Sequence, residues 1–174
     1  MFDAPLFENA FVMAFIKFAV LGTAGEIVAK LLTKKPIKIG IIFWSMLVWG
    51  VLGLIIKFCF VGFNGFTFQL MELAMIPDGD FSRAFFTSFF TNAFFGPWVI
   101  ILHRLFDNII FGKLTVPKEG LKGALLTLIW FWIPAHTITF MMDGEMQVTL
   151  AAIWSFVLGL ILGIFKNLQA KKKK

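Results

Sequence analysis

The chain contains four long runs of residues without Asp, Glu, Lys or Arg. They are residues 39–56, 84–102, 123–142 and 146–165. Each run is close to the roughly 20 residues that an α-helix needs to cross a bilayer core of about 30 Å. The pattern therefore predicts at least four membrane-spanning helices.

A fifth apolar segment, residues 11–32, contains Lys17 and Glu26. We interpret it as a span whose polar side chains have a particular role, because ionisable groups are costly in lipid. The prediction is one all-α membrane domain, residues 1–174, built as a compact bundle of five helices, with four spans as the alternative. The predicted spans are about 11–32, 40–62, 84–105, 123–142 and 146–165, followed by a basic tail at 166–174.

Composition supports a membrane protein and limits the other classes. The chain is 59% hydrophobic, above the roughly 45–50% of soluble domains, so the lipid bilayer is the main predicted partner. The net charge of +6 comes largely from the tail and one connection, which indicates topology and not a nucleic-acid surface. Cys59 is the only cysteine, which excludes an intrachain disulfide and a Cys-based zinc site.

Charge alternates between successive connections. The connection after the first span contains several lysines, whereas the one after the second contains Asp78 and Asp80, and the C-terminus ends in four lysines. Cytoplasmic segments collect Lys and Arg. Five crossings with the N-terminus outside and the C-terminus inside fit all segments, and we predict this topology for a bacterial cytoplasmic membrane, with an organelle membrane as the alternative.

The second connection, "NGFTFQLMELAMIPDGD" at residues 64–80, is too apolar for a free loop. Amphipathic segments of this kind lie in the membrane interface. We predict a short interfacial helix between the second and third spans. The alternative is that the segment prolongs the second span.

Two prolines interrupt predicted spans. Pro97 and Pro134 each remove one helical hydrogen bond and free the carbonyl four residues earlier, on Ala93 and Trp130. Such helix breaks persist in lipid where protein or water satisfies the freed group. Both prolines are therefore predicted to face protein or a wet cavity, and Asn92 is the predicted donor near the first break.

Small residues repeat every four positions along the last span, at Ala151, Ser155, Gly159 and Gly163. A stripe of this kind lets another helix approach closely. Packing within one chain is the preferred interpretation. A homo-oligomer or contact with another membrane protein is the alternative.

Polar residues inside the spans are candidates for a path through the bundle. Glu26, Asn92 and His136 are predicted to face inward, either as members of a polar path or as structural hydrogen-bonding groups.

A second group, His103, Arg104 and Asp107, marks the predicted inner edge of the third span. Residues at this spacing can pair along one helix. Local ion pairing of His103 or Arg104 with Asp107 is therefore an alternative to a functional role.

Motifs of soluble enzymes are not visible in the sequence. It has no Gly-rich phosphate loop and no "HExxH". The predicted topology puts its two histidines near opposite membrane faces. We therefore predict no enzymatic activity, no cofactor and no metal site.

The stretches "WFWIPAHTITF" and "AAIWSFVLGL" resemble the C-terminal signature of the Mpv/PMP family of small mitochondrial and peroxisomal membrane proteins. Trp132, Pro134, Phe140 and Trp154 match that signature in order. Ile133 separates the usual Trp-Pro pair, and His136 and Thr139 stand where the family has Gln and Asn.

Other stretches are similar to earlier parts of the family pattern. "GTAGEIVAKLL" is similar to a Gly-acidic-Ile pattern in the first span, with Glu26 as the acidic residue. "GPW" and "HRLFD" are similar to a Gly-Pro, His and Leu-Asp run. The resemblance is that of a distant, prokaryotic-like member, and it implies a small helical membrane protein with channel-like behaviour and without catalysis.

Two functions follow as expectations. The first is a channel or pore for small solutes or ions. The second is a non-catalytic structural or accessory protein that packs against partner helices.

Overall fold

The computed structural model describes residues 9–118 and 120–172. It contains five long helices: α1 (Ala10–Leu32), α2 (Ile39–Glu72), α3 (Asp80–Ile109), α4 (Leu121–Phe140) and α5 (Gly144–Lys172). The described part of the chain contains no β-strand. The predicted all-α bundle of five hydrophobic helices is confirmed.

Helices α1 to α4 are each long and apolar enough to cross a membrane. Helix α5 has a shorter described apolar part, Met146–Ile161, and continues for 29 residues in all. Large apolar side chains such as Phe43, Phe58 and Trp98 point outward, as expected where lipid is the solvent. The protein is a multi-pass membrane protein.

The predicted interfacial helix is not a separate element. Helix α2 runs without a break for 34 residues and ends at Glu72. It stops where Ala74 takes a positive φ of 52° and the N–H of Met75 bonds the Leu70 carbonyl at 2.9 Å. The alternative, that this segment prolongs the second span, describes residues 64–72, because α2 continues through them to Glu72.

Each internal proline follows a wide π-helical turn. These turns cover Thr91–Phe95 in α3 and Leu128–Trp132 in α4. In them the N–H of Gly96 bonds the Thr91 carbonyl, and the N–H of Ile133 bonds the Leu128 carbonyl. π-turns of this kind occur often at functional sites.

The prediction that both prolines face protein or a cavity is wrong for Pro134, which is exposed on the outer surface of the bundle. Pro97 is half-buried and does not border the interior cavity described below. Ala93 and Trp130, whose carbonyls the prolines free, are exposed as well. The π-turn before each proline accommodates the helix break. The side of the helix that faces the interior therefore carries other residues.

Helix α1 packs between α2 and α5. A Cβ atom added to Gly53 of α2 would lie 2.8 Å from the Ala14 carbonyl oxygen, and one on Gly159 of α5 would lie 3.1 Å from the Gly25 carbonyl oxygen. Lys17 also joins α1 to α5, because its Nζ donates to Thr149 Oγ1 at 2.6 Å. The small residues thus let three backbones come close together.

Candidate functional site

The first polar cluster surrounds the carboxylate of Glu26, near the C-terminal end of α1. Ser45 Oγ donates to its Oε2 at 2.9 Å, and Trp49 Nε1 donates to its Oε1 at 2.8 Å. Lys30 Nζ lies 3.5 Å from Oε2. The carboxylate side chain is 21% exposed and is held in place from two helices.

His103 of α3 lies between two carboxylates. Its Nε2 is 3.4 Å from Glu26 Oε1, and its Nδ1 is 3.3 Å from Asp107 Oδ2. The imidazole packs on the Trp49 indole with ring centroids 4.6 Å apart. Nε2 is buried and has no hydrogen-bond partner among the described residues. The ring is therefore held between two carboxylates, each at ion-pair distance from one of its nitrogens.

The predicted inner-edge group divides into two parts. His103 and Asp107 join Glu26, whereas Arg104 Nη1 donates to the Pro117 carbonyl at 3.1 Å in the loop before α4. Asp107 is 44% exposed at the end of this cluster. The structure thus brings Glu26 and the His103–Asp107 pair together from different helices.

The second polar cluster contains Asn92 and His136. Asn92 Nδ2 donates to the Ser88 carbonyl at 2.8 Å and lies 3.2 Å from His136 Nδ1. Because Nδ2 is a donor, this contact is a hydrogen bond when Nδ1 of His136 is unprotonated and the ring proton is on Nε2. Asn92 therefore links α3 to α4, and the prediction that it serves the carbonyl freed by Pro97 is wrong.

The same level of the bundle holds a further link between α3 and α4. Ser88 Oγ donates to the Ile133 carbonyl at 2.7 Å. This carbonyl also accepts from Thr137 Oγ1 at 2.8 Å. Side-chain hydroxyls therefore bond backbone oxygen next to the proline break in α4.

A cavity of about 290 Å³ lies between the two clusters, and all five helices contribute to its wall. Asn92 and His136 border it at one level, and His103 and Arg104 border it at another. Residues 92 and 103 are separated by roughly 16 Å along α3, at 1.5 Å per residue. Most of the wall is apolar, including Phe18, Ile56, Phe60, Val99, Leu128 and Ala151.

Thr91 also lines this cavity and is only 2% exposed. Its Oγ1 is buried without a hydrogen-bond partner among the described residues, as are the hydroxyls of Thr23, Thr67 and Thr87. Of these four residues Thr91 is the one that lines the cavity, where water or a polar atom of a ligand can complete its hydrogen bonding.

Within the described residues, the small-residue stripe of α5 packs against the interior of the same chain. Ala151 is 1% exposed, and Ala151, Ser155 and Gly159 border the cavity. Gly159 also lies against Gly25 of α1. The surroundings of Gly163 lie outside the described residues.

One described group has the composition of a metal site. Glu26, His103 and Asp107 each offer a ligand atom, and these atoms lie within 4.8 Å of one another. The prediction of no metal site rested on the two histidines alone, and the structure keeps His136 in the other cluster. Glu26, which approaches His103 from another helix, was not part of that prediction.

Three residues of the site were missed by the sequence argument. Ser45 and Trp49 lie within the apolar run 39–56, and Thr91 lies within the run 84–102, so each looked like an ordinary span residue. The pairing of Glu26 with His103 had a signal, because the predicted topology put both at the same membrane face.

Comparison with models of protein families gives no match to this chain, and neither the curated proteins nor the solved structures give one. The resemblance to the Mpv/PMP family therefore stays a prediction. Of the residues that carry it, Trp154 Nε1 donates to Thr139 Oγ1 at 3.2 Å, which joins α5 to α4.

We expect Asn92→Ala to lower the free energy of unfolding in detergent by about 1–2 kcal/mol, because a buried link between α3 and α4 is lost. The measurement is a chemical or thermal unfolding curve. Asn64→Ala is the matched control, since Asn64 makes a similar bond to the Phe60 carbonyl at 3.0 Å on α2 alone. Equal losses for both variants would contradict a role for Asn92 in joining helices.

Proposed function

We propose that the protein transports small uncharged solutes through the interior of the helix bundle. The observation that carries this proposal is the cavity of about 290 Å³, lined by residues of all five helices and bordered by polar groups at two separate levels. Binding sites for small molecules have this character, mostly apolar with a few polar groups that fix orientation.

The apolar wall argues for uncharged solutes over ions. An ion passing Ile56, Val99 and Leu128 would lose its hydration without a compensating partner. A neutral molecule loses much less, and the unpartnered Thr91 hydroxyl supplies a hydrogen bond in the wall. Channel-like behaviour is also what the Mpv/PMP resemblance implies.

The test is solute flux into liposomes that contain the purified full-length protein. We expect faster entry of glycerol or urea than into protein-free liposomes, measured by stopped-flow light scattering, while K⁺ entry stays at the background rate. Flux of both solutes equal to that of protein-free liposomes would overturn the proposal.

A pair of variants tests whether the solute uses the cavity. Val99 borders the cavity and packs against the core, so Val99→Trp should reduce the protein-dependent flux by roughly fivefold or more by filling this space. Val61→Trp is the control, because Val61 is 57% exposed on the outer surface of α2. Equal flux in the two variants would place the path elsewhere.

The accessory-protein function would need a surface for partner helices. Its predicted surface was the α5 stripe, but the stripe packs inside the chain from Ala151 to Gly159. The geometry therefore supports transport better.

A further inference from the structure

We propose that Glu26 and His103 bind a divalent transition-metal ion such as Zn²⁺, with Asp107 supporting the imidazole from its other side. This inference rests on the geometry of the Glu26 cluster and does not depend on solute transport.

The spacing of the two donor atoms fits joint coordination. Nε2 of His103 and Oε1 of Glu26 are 3.4 Å apart. Two ligands of a tetrahedral Zn²⁺, each about 2.0–2.1 Å from the ion, are separated by about 3.4 Å. An ion between these atoms needs little movement of either side chain.

The imidazole is also placed as a ligand would be. Its Nε2 is buried and lies 3.4 Å from Glu26 Oε1, at ion-pair distance but without an aligned hydrogen bond. Its Nδ1 faces Asp107 Oδ2 at 3.3 Å. A histidine ligand typically donates its other ring N–H to a carboxylate in this way, which orients the ring.

The carboxylate ligand is supported as well. Ser45 and Trp49 donate to the two oxygens of Glu26 at 2.9 and 2.8 Å. Such hydrogen bonds to ligating carboxylates are a usual outer layer of metal sites. The remaining positions of the ion would be open to water.

The donor set selects the class of ion. One imidazole nitrogen with carboxylate oxygen suits Zn²⁺ and its first-row neighbours, whereas Ca²⁺ and Mg²⁺ prefer oxygen ligands alone. Lys30, 3.5 Å from Glu26 Oε2, opposes a cation by its charge. The affinity of the site should therefore rise when Lys30 is neutralised.

Cobalt provides the probe, because Co²⁺ in such sites has visible ligand-field absorption and Zn²⁺ displaces it. The full-length protein would be purified in detergent with a tag free of histidine and titrated with Co²⁺. We expect one Co²⁺ per chain and complete displacement by Zn²⁺. Absence of saturable absorption in the folded protein would overturn the proposal.

The two histidines of the chain provide a matched pair of variants. We expect His103→Ala to abolish binding and His136→Ala to retain it, with Cys59→Ala unchanged. Binding that survives His103→Ala would overturn the assignment.

Two further variants keep the test decisive if His103→Ala does not fold. Asp107 is the most exposed member of the cluster, so Asp107→Asn should fold and weaken Co²⁺ binding roughly 10–100-fold. Lys30→Met should tighten it several-fold. Unchanged affinity in both variants would overturn the proposal.

Discussion

Gly53→Leu is expected to destabilise the bundle more than any other single change described here, by about 3 kcal/mol or more. A Cβ atom on Gly53 would lie 2.8 Å from the Ala14 carbonyl oxygen and 2.7 Å from Phe18 Cβ. Because one of these atoms belongs to the backbone, a side-chain rotation cannot relieve the overlap. Helices α1 and α2 would have to separate.

Thermal unfolding in detergent, followed by circular dichroism, measures this effect. Gly62→Leu is the control, since Gly62 lies on the same helix and a Cβ there meets nothing within 4 Å. The control should unfold near the wild-type temperature, whereas Gly53→Leu should unfold well below it or fail to yield monodisperse protein. Similar unfolding temperatures for the two variants would contradict the close packing of α1 on α2.

Glu26→Ala is expected to produce the second largest loss, about 3 kcal/mol. The substitution leaves the Trp49 indole N–H, the Ser45 hydroxyl and the Lys30 ammonium without their shared acceptor. Buried polar groups that lose a partner cost much more than an ordinary hydrogen bond contributes. Glu72→Ala, at the exposed end of α2, should change stability by less than about 0.5 kcal/mol.

A double-mutant cycle with Trp49→Phe separates the loss of the hydrogen bond between Glu26 and Trp49 from the other effects of Glu26→Ala. If Glu26 and Trp49 interact as the structure indicates, the double variant should lose less stability than the two single losses added together. Additive losses of unfolding free energy would show that the hydrogen bond between the indole N–H and the carboxylate does not stabilise the protein.

The sequence was sufficient to predict most of the fold. Four uncharged runs of about 20 residues predicted α2 to α5, because a membrane requires such runs, and an apolar segment with a few ionisable residues predicted α1. The end of α2 was not predictable in the same way, since residues 64–72 are amphipathic and suit both an interfacial helix and a helical extension. Tertiary contacts and the backbone turn at Ala74 decide between them.

Only the most polar residues of the site were predicted from the sequence. Glu26, Asn92 and His136 stood out because ionisable or amide groups are rare in lipid-spanning helices. The other residues of the site did not, since Ser, Trp and Thr such as Ser45, Trp49 and Thr91 are common in apolar helices. The distribution into two clusters depends on how the helices face one another, and the π-turns that precede Pro97 and Pro134 change that facing.

These π-turns also make the site dependent on the length of the chain. A residue in an α-helix turns by about 100°, so the wider turn at Thr91–Phe95 gives the segment after it a different facing from that of a regular helix. A π-turn holds one residue more than an α-turn, so removing a lipid-facing residue such as Phe94 would leave a regular α-turn and keep the following segment in nearly the same facing. His103 would then still point toward Glu26, whereas a deletion in the regular helix between Pro97 and His103 would rotate His103 by about 100° relative to Asn92, so the expected damage depends on which side of Pro97 the residue is removed.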